Sequence, residues 1–379
     1  MRLAWFHART AASAHPCDDT AGLLRALGAE HELHTFTSTN AHDFMRTGAR
    51  APYDVCVFEL DDTPAHAFIW PYLLHHAGVL LLRTRTLHDS RAHALVDAAR
   101  LEDYVAEFTF SEGHPPRLAQ GQPYLYGDGR PMLRVPLLAA RLAVLPQQGV
   151  AQALQEEYPE ARIRYAPVPV QPVQPLLQAH GLQQVPGPDV TFGVLSTDRV
   201  EVARRVVARA RETGAAAALV VNGPERVLQQ ADVLLLLQWP GFGEPQQLAV
   251  SAMAGGKPVV VLETEGSADW PVLDPQTWRP RGFAATAPIG VSLDLRDEEH
   301  SLILAVRRLA ADVELRRRLG AAGQAWWRAH ATVDRAAEVW RRLLREAAVL
   351  DPPPRPATWP AHLNAERTED RATSRGNSG

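Results

Sequence analysis

Lysine, cysteine and long apolar runs are scarce in this chain of 379 residues. Lys257 is the only lysine among 39 basic residues, a bias that a GC-rich genome explains. The two cysteines, Cys17 and Cys56, are too few for a disulfide framework and lack the spacing of metal ligands. Apolar runs such as 233–237 are far shorter than the roughly 20 residues that a membrane-spanning helix needs. We therefore expect neither a disulfide scaffold nor a membrane-spanning helix.

An excess of charge of one sign is also absent. The formal net charge is −4, so no basic field attracts nucleic acid or an anionic membrane to the whole chain. Residues 1–7 contain no apolar region of the kind found in secretory signals. These features predict a cytoplasmic protein that does not bind nucleic acid and has at most a peripheral membrane contact.

The composition is that of a globular protein with a real core. Hydrophobic residues make up 46% of the chain and charged residues 22%, which excludes disorder over the whole length. Short apolar runs alternate with amphipathic stretches through the first 350 residues, a rhythm typical of parallel α/β sheets covered by helices. Proline-rich residues 167–188 interrupt that rhythm and predict an inter-domain connection. The predicted division is 1–186, 187–331, a final helix at 332–350, and a disordered Pro-rich polar tail at 351–379.

The same patterns predict individual elements. In the first domain the expected strands are 3–6, 33–36, 54–60 and 79–82, and the expected helices include 21–27, 65–76 and 91–108. In the second domain the expected strands are 190–195, 218–221, 233–237, 258–262 and 290–295. One expected helix ends at about residue 212. The others span 246–254, 297–311, 313–328 and 332–348.

One strand end carries residues suited to ligand chemistry. The strand at 233–237 leads into a loop containing Gly241 and Gly243, and Pro245 suits the first turn of the helix that follows. The free N–H groups of such a helix start form an anion site at the carboxyl edge of a parallel sheet. Glu244 lies beside it, where the carboxylate either accepts hydrogen bonds from sugar hydroxyls or simply caps the helix and interacts with its dipole.

Two stretches carry a family resemblance: 235–244 (LLLQWPGFGE) and 251–261 (SAMAGGKPVVV). Together they resemble the donor-site strand, loop and helix of glycosyltransferase family 4. Segments 58–69 and 312–320 are also similar to parts of that family, so the resemblance covers about residues 1–348. It implies the GT-B fold, two Rossmann-like doubly wound domains facing a cleft. It also implies retention of anomeric configuration, no obligatory metal, and no cofactor besides a nucleotide diphosphate sugar as donor substrate.

The resemblance further implies roles for particular residues. It places Glu244, His88 and Arg83 in catalysis and Asp18 and His66 on the acceptor side. The donor-binding residues that it implies are Arg199, Gly243, Gln246, Gln247, Ser251 and Lys257. Five of these residues also have a plain structural interpretation: Glu244, His88 and Asp18 as helix caps, Arg83 as a solvated edge residue and Lys257 as a surface lysine.

Departures from the family pattern leave two functions open. Ser251 stands where a second acidic residue is typical, and Arg83-Thr84 stands where His-Asp is frequent. Val194 stands where an arginine of the diphosphate clamp is usual. The first function is transfer of a sugar from a nucleotide diphosphate sugar to a hydroxyl of a glycan or glycolipid. The alternative is a non-catalytic protein that binds a nucleotide sugar, a glycan or a partner transferase.

Overall fold

The computed structural model describes residues 1–8, 18–116, 130–172, 189–195, 199–221, 223–238, 244–264, 266–281 and 287–364. The chain forms two compact units. The first comprises Met1–Ser13, Leu24–Ala166 and Val339–Gly379, and the second comprises Ala14–Leu23 and Pro167–Glu338. The long segment of the second unit begins at Pro167, where the predicted inter-domain connection 167–188 also begins. Among the helices of the described ranges, none combines the length and apolarity that a bilayer crossing requires.

The first unit contains a six-stranded, wholly parallel sheet. Its strands are β1 (Arg2–Phe6), β2 (Glu32–Phe36), β3 (Val55–Leu60), β4 (Val79–Leu82), β5 (Leu142–Leu145) and β6 (Ile163–Tyr165), in the order β2-β1-β3-β4-β5-β6. The strands β3, β4 and β5 are buried along their whole length, as continuous apolar strands covered on both faces should be. The strand order reverses direction between β1 and β3, which makes their carboxyl ends the switch point of this sheet.

Seven α-helices described in the first part of the chain connect these strands. They are α1 (Thr20–Gly28), α2 (Asp43–Arg50), α3 (Ile69–His75), α4 (His88–Val96), α5 (Leu101–Glu112), α6 (Arg134–Ala139) and α7 (Gln148–Glu157). The single helix predicted over 91–108 is wrong, because α4 and α5 are separate. Ala99 between them has a φ of 57°, a left-handed conformation that ends a right-handed helix.

The second unit contains a seven-stranded sheet. Its strands are β7 (Val190–Val194), β8 (Ala217–Val220), β9 (Val233–Leu236), β10 (Val259–Leu262), β11 (Val272–Leu273), β12 (Pro280–Arg281) and β13 (Gly290–Leu293), in the order β12-β11-β13-β10-β9-β7-β8. Only the β11–β12 pairing is antiparallel among these described strands. The switch point lies between β7 and β9, which pair in parallel with Phe192 opposite Val233 and Val194 opposite Leu235.

Helices cover both faces of the second sheet. They are α8 (Val200–Glu212), α9 (Pro224–Gln230), α10 (Glu244–Ala254), α11 (Glu298–Ala311) and α12 (Val313–His330), followed by α13 (Val333–Val349), which belongs to the first unit from Val339 onward. Along β9, Leu235 packs with α8 and α11, whereas Leu234 packs with α9 and α10. Both faces of this strand are therefore in the core, which explains why it is an unbroken apolar run instead of an alternating one.

The last described residues pack on the first unit. Trp340 of α13 contacts Trp5 of β1, with ring centroids 4.9 Å apart. Beyond α13, residues 351–364 form what we call the C-terminal segment, in which Trp359 and Leu363 are buried. Arg355 Nη2 donates to the Leu74 carbonyl oxygen at 2.9 Å. The disorder predicted from composition is thus corrected for 351–364, and 365–379 lie outside the described residues.

Candidate functional site

The carboxyl ends of β7 and β9 form the switch point of the second sheet, where ligands of open α/β sheets bind. Helix α8 begins after β7, and α10 begins after β9 at Glu244. Two adjacent helix starts therefore lie at this edge, on opposite faces of the sheet. Gly243 lies outside the described residues, and so does the side chain of Glu244.

Arg199 is the residue immediately before α8. Its guanidinium forms an ion pair with Glu298, the first residue of α11, and about a quarter of its side chain is exposed. The resemblance led us to expect Arg199 to face a donor diphosphate together with the start of α10. That convergence stays a prediction, whereas the carboxylate partner on α11 is a feature that sequence reasoning missed.

Gln246 lies in the first turn of α10 and is buried. Its Nε2 donates to the carbonyl oxygen of Gly266, and its Oε1 has no hydrogen-bond partner among the described residues. It lines a small crevice at the carboxyl ends of β9 and β10. The other residues lining this crevice are Leu236, Gln238, Val261, Leu262, Thr264, Gly266, Ser267 and Trp270. Gln247, the next residue of α10, is half-buried.

Lys257 follows α10 and is turned inward. Its ammonium group donates to the carbonyl oxygens of Leu228, Gln229 and Ala231, at the carboxyl end of α9. These three bonds use all three donors of an ammonium group. Burial lowers the pKa of Lys257, and the charge of Asp232 opposes that effect. This geometry argues against the donor-binding role predicted for Lys257 and makes it a cap of α9.

The hydroxyl of Ser251 also binds a backbone carbonyl oxygen. Its Oγ donates to the Gln171 carbonyl oxygen at 2.9 Å, and the residue is almost fully buried in α10. The donor-binding role predicted for Ser251 requires that hydroxyl to face a ligand. The bond to Gln171 instead ties α10 to the chain that enters the second unit.

Arg83 lies in the first unit, directly after β4, and is buried. Its Nε is 3.5 Å from Oε1 of Glu59, a fully buried residue of β3. A buried charge needs a partner of opposite sign, and Glu59 provides one for Arg83. Arg83 is thus part of the interior of the sheet edge, which offers no support for the catalytic role predicted for it.

His88 is the first residue of α4 and, like Arg83, is buried. Only 2% of the residue is exposed, and its Nε2 is 2.9 Å from the hydroxyl oxygen of Tyr104 in α5. Its Nδ1 is 3.4 Å from Oδ1 of Asp89. The imidazole ring of His88 links α4 to α5 in the interior. It is therefore not exposed to an acceptor at this edge of the sheet.

The two predicted acceptor-side residues lie in different units. His66 is buried in the short 3₁₀ helix Pro64–His66, with Nδ1 2.9 Å from the Thr63 hydroxyl. Asp18 belongs to the second unit, where it forms an isolated bridge with Val170. Its Oδ1 accepts hydrogen bonds from the backbone N–H and the hydroxyl of Thr20, which begins α1. Asp18 therefore caps a helix, and its placement differs from the predicted first-domain position.

A carboxylate that sequence reasoning did not select lies beside β3. Asp62 follows that strand near the switch point of the first sheet and accepts a hydrogen bond of 2.7 Å from the N–H of Ser90. Burial raises the pKa of Asp62. The signal that was available is the pair Asp61-Asp62 directly after a buried strand. Within the described ranges, no group of three or more His, Cys, Asp or Glu side chains could hold a metal ion.

Two solved glycosyl-transfer enzymes have a similar fold. The catalytic domain of starch synthase IV from Arabidopsis thaliana, bound to ADP and acarbose, has a TM-score of 0.59 and 11% identity, over 92% of this chain and 99% of that one. Sucrose-phosphate synthase from Thermosynechococcus elongatus has a TM-score of 0.56 and 13% identity, over 91% and 98%. The fold is GT-B. No protein-family model and no curated protein matches the sequence. The GT-B fold expected from the resemblance is thus confirmed, and identities this low show the fold alone.

Proposed function

We propose that this GT-B protein transfers a sugar from a nucleotide diphosphate sugar to a hydroxyl of a glycan or glycolipid, with retention of configuration. The observation that carries the proposal is the switch point of the second sheet. There the residue before α8 is a cation, and the start of α10 follows the neighbouring strand, with a small crevice beside Gln246 of α10. One of the two similar structures holds ADP, a nucleoside diphosphate.

The second unit is the proposed donor side. Arg199 and the free N–H groups at the start of α10 suit the two phosphates, because a helix start and a guanidinium both favour anions. Glu244 is assigned to the sugar hydroxyls, which donate hydrogen bonds to a carboxylate. Gln246 supplies an acceptor, since its buried Oε1 lacks a partner among the described residues. Gly243 and Gln247 complete the proposed donor site.

A second candidate function is binding without catalysis. The observation that favours it is the engagement of Lys257, Ser251 and Arg199 in contacts within the protein. Losing one preorganised donor at a developing charge costs about 2.7–4 kcal/mol, or 10²–10³ in rate. A leaving diphosphate held by Arg199 without a second cation would be stabilised that much less.

Binding and turnover measured on the same samples distinguish the two functions. Thermal shift with a panel of nucleotide sugars identifies the donor, and release of nucleoside diphosphate with a lysate acceptor fraction reports transfer. Arg199→Ala should weaken donor binding by about 1.5–3 kcal/mol, the contribution of a charged hydrogen bond. Glu244→Gln should spare donor affinity and reduce transfer. The matched control is Arg205→Ala, within α8 and more exposed than Arg199.

Donor binding with no nucleotide release, whatever acceptor fraction is added, would favour the non-catalytic function. Unchanged donor affinity in Arg199→Ala would show that the donor site lies elsewhere. A failure of every nucleotide sugar to raise the melting temperature would contradict both functions as far as they involve a nucleotide.

A further inference from the structure

Two ion pairs of the same kind join α8 to α11, and they differ in burial. Arg199 pairs with Glu298, and Arg205 pairs with Glu299. In the first pair the arginine and glutamate side chains are 26% and 11% exposed, and in the second they are 59% and 53% exposed. The second pair is screened by water, whereas the first is largely withdrawn from it. The same two helices thus provide a test pair and its natural control.

Only one of the two carboxylate oxygens of Glu298 has a hydrogen-bond partner among the described residues. Its Oε2 accepts a hydrogen bond from Nη1 of Arg199, and its Oε1 is buried with no hydrogen-bond partner in the described part of the chain. Burial raises the pKa of Glu298, and the charge of Arg199 opposes that rise. A carboxylate removed from water on one oxygen and unpaired there is unfavourable. Arg199 is the group that keeps this charge in place.

Arg199 is also close to the switch point, since it directly precedes α8, the helix that follows β7. The start of a helix favours an anion, and a guanidinium binds phosphate oxygens with several N–H groups. A phosphate placed on this guanidinium would lie within a few ångströms of the Glu298 carboxylate. Like charges at that distance repel strongly where water is excluded. The two anions therefore compete for one cation.

We propose that Glu298 is a built-in counter-ion that competes with the donor diphosphate for Arg199 and so sets how tightly this edge binds phosphate. The inference rests on the proposed function for the identity of the anion. Glu298 holds Arg199 when no anion is bound and gives it up to the diphosphate. It is a positioning residue, because its effect on the ligand passes through Arg199.

Calorimetric titration with inorganic pyrophosphate tests the proposal on the full chain, at neutral pH and constant ionic strength. Glu298→Gln keeps the side-chain shape and removes the competing charge, so it should bind pyrophosphate about tenfold more tightly than the unmodified protein. Glu299→Gln removes the same charge one residue away and should change the affinity less than about twofold. Circular dichroism and the melting temperature verify that each variant is folded.

A folded Glu298→Gln variant with equal or weaker pyrophosphate affinity would overturn the proposal, because Glu298 would then support the anion site instead of opposing it. No pyrophosphate binding to either form would also overturn it. The double variant Arg199→Gln/Glu298→Gln should lose the increase in pyrophosphate affinity that Glu298→Gln shows. A gain that persists without Arg199 would mean that the anion binds at another place, again against the proposal.

Titration of the same variants with nucleotide sugars separates this inference from the proposed function. Tighter pyrophosphate binding in Glu298→Gln, with no nucleotide sugar bound by any form, would leave the counter-ion in place and contradict the donor function. If nucleotide sugars bind equally well to the unmodified protein and to Glu298→Gln, the donor function would stand and the counter-ion role of Glu298 would be contradicted.

Discussion

The carboxyl edges of the two sheets are built from the same strand–loop–helix units but use their polar residues differently. In the first unit, Arg83 and His88 follow β4, and both are buried against partners of the same unit, Glu59 and Tyr104. In the second unit, Arg199 keeps part of its side chain exposed, and Gln246 borders an open crevice. Charge at the first edge is thus paired within the interior, whereas the guanidinium of Arg199 at the second edge is paired and still partly exposed.

The largest effect is expected from Arg83→Met, which removes the guanidinium that faces the buried Glu59 carboxylate. Breaking a buried pair on one side costs about 3–5 kcal/mol of unfolding free energy. Urea denaturation should show that loss, while pyrophosphate affinity changes less than about twofold. The control is Arg85→Met, because Arg85 pairs with Glu157 in a far more exposed setting. If Arg83→Met keeps full stability, or loses only ligand affinity, Arg83 would again be a candidate residue of the ligand site.

A somewhat smaller loss is expected when the chain ends after Leu350. The C-terminal segment buries Trp359 against Phe110, with ring centroids 5.5 Å apart, and brings Nε2 of His362 within 2.8 Å of Glu107 Oε1. Burial of one large apolar side chain contributes about 1.5–3 kcal/mol, so the melting temperature should fall by about 5 °C or more.

Point variants of the complete chain sharpen the test of the C-terminal segment. Trp359→Ala should account for most of the loss, and Thr358→Ala, at an exposed neighbouring position, should have almost no effect. A truncated chain that melts with the complete one would show that the segment adds nothing to the first unit.

Lys257→Met should have an intermediate effect, about 2 kcal/mol of unfolding free energy, since three partly buried carbonyl oxygens at the end of α9 lose their donor. Donor affinity should stay unchanged, in contrast to Arg199→Ala. Arg226→Met, on the exposed side of α9, is the control and should change stability by less than about 0.5 kcal/mol. Weaker nucleotide binding with normal stability would restore Lys257 to the donor site.

The smallest effect is expected from Tyr104→Phe, about 1 kcal/mol, because it removes one hydrogen bond to His88 within the core. A double-mutant cycle with His88→Leu isolates the pair: the two changes together should cost less than the sum of the single ones. Strict additivity would show that the two groups do not interact, and His88 would then be available for another role.

Periodicity predicted the framework of the second sheet well. The runs at 190–195, 233–237 and 258–262 correspond to β7 (Val190–Val194), β9 (Val233–Leu236) and β10 (Val259–Leu262). These strands are covered on both faces, so their apolar character is visible in the chain itself. By contrast, no glycine or proline marks the break between α4 and α5, because Ala99 adopts a conformation that its residue type does not announce.

Side-chain partners could not be predicted in the same way. Arg199 and Glu298 are 99 positions apart, and only the packing of α8 on α11 brings them together. The short motif around Lys257 suggested a ligand contact, but α9, for which the sequence predicted no element, supplies the carbonyl oxygens that Lys257 binds. In the tail, Trp359 and Leu363 lie four positions apart, an apolar spacing that a composition argument overlooks.

The cap that Lys257 places on α9 has a practical consequence for covalent labelling. Because the chain has a single lysine, it has a single ε-amine, and in the folded protein that amine is held by three carbonyl oxygens. A reagent that acylates lysine side chains can react there only when the carboxyl end of α9 opens. The rate of acylation at Lys257 therefore measures how often this part of the second unit opens while the rest of the chain stays folded.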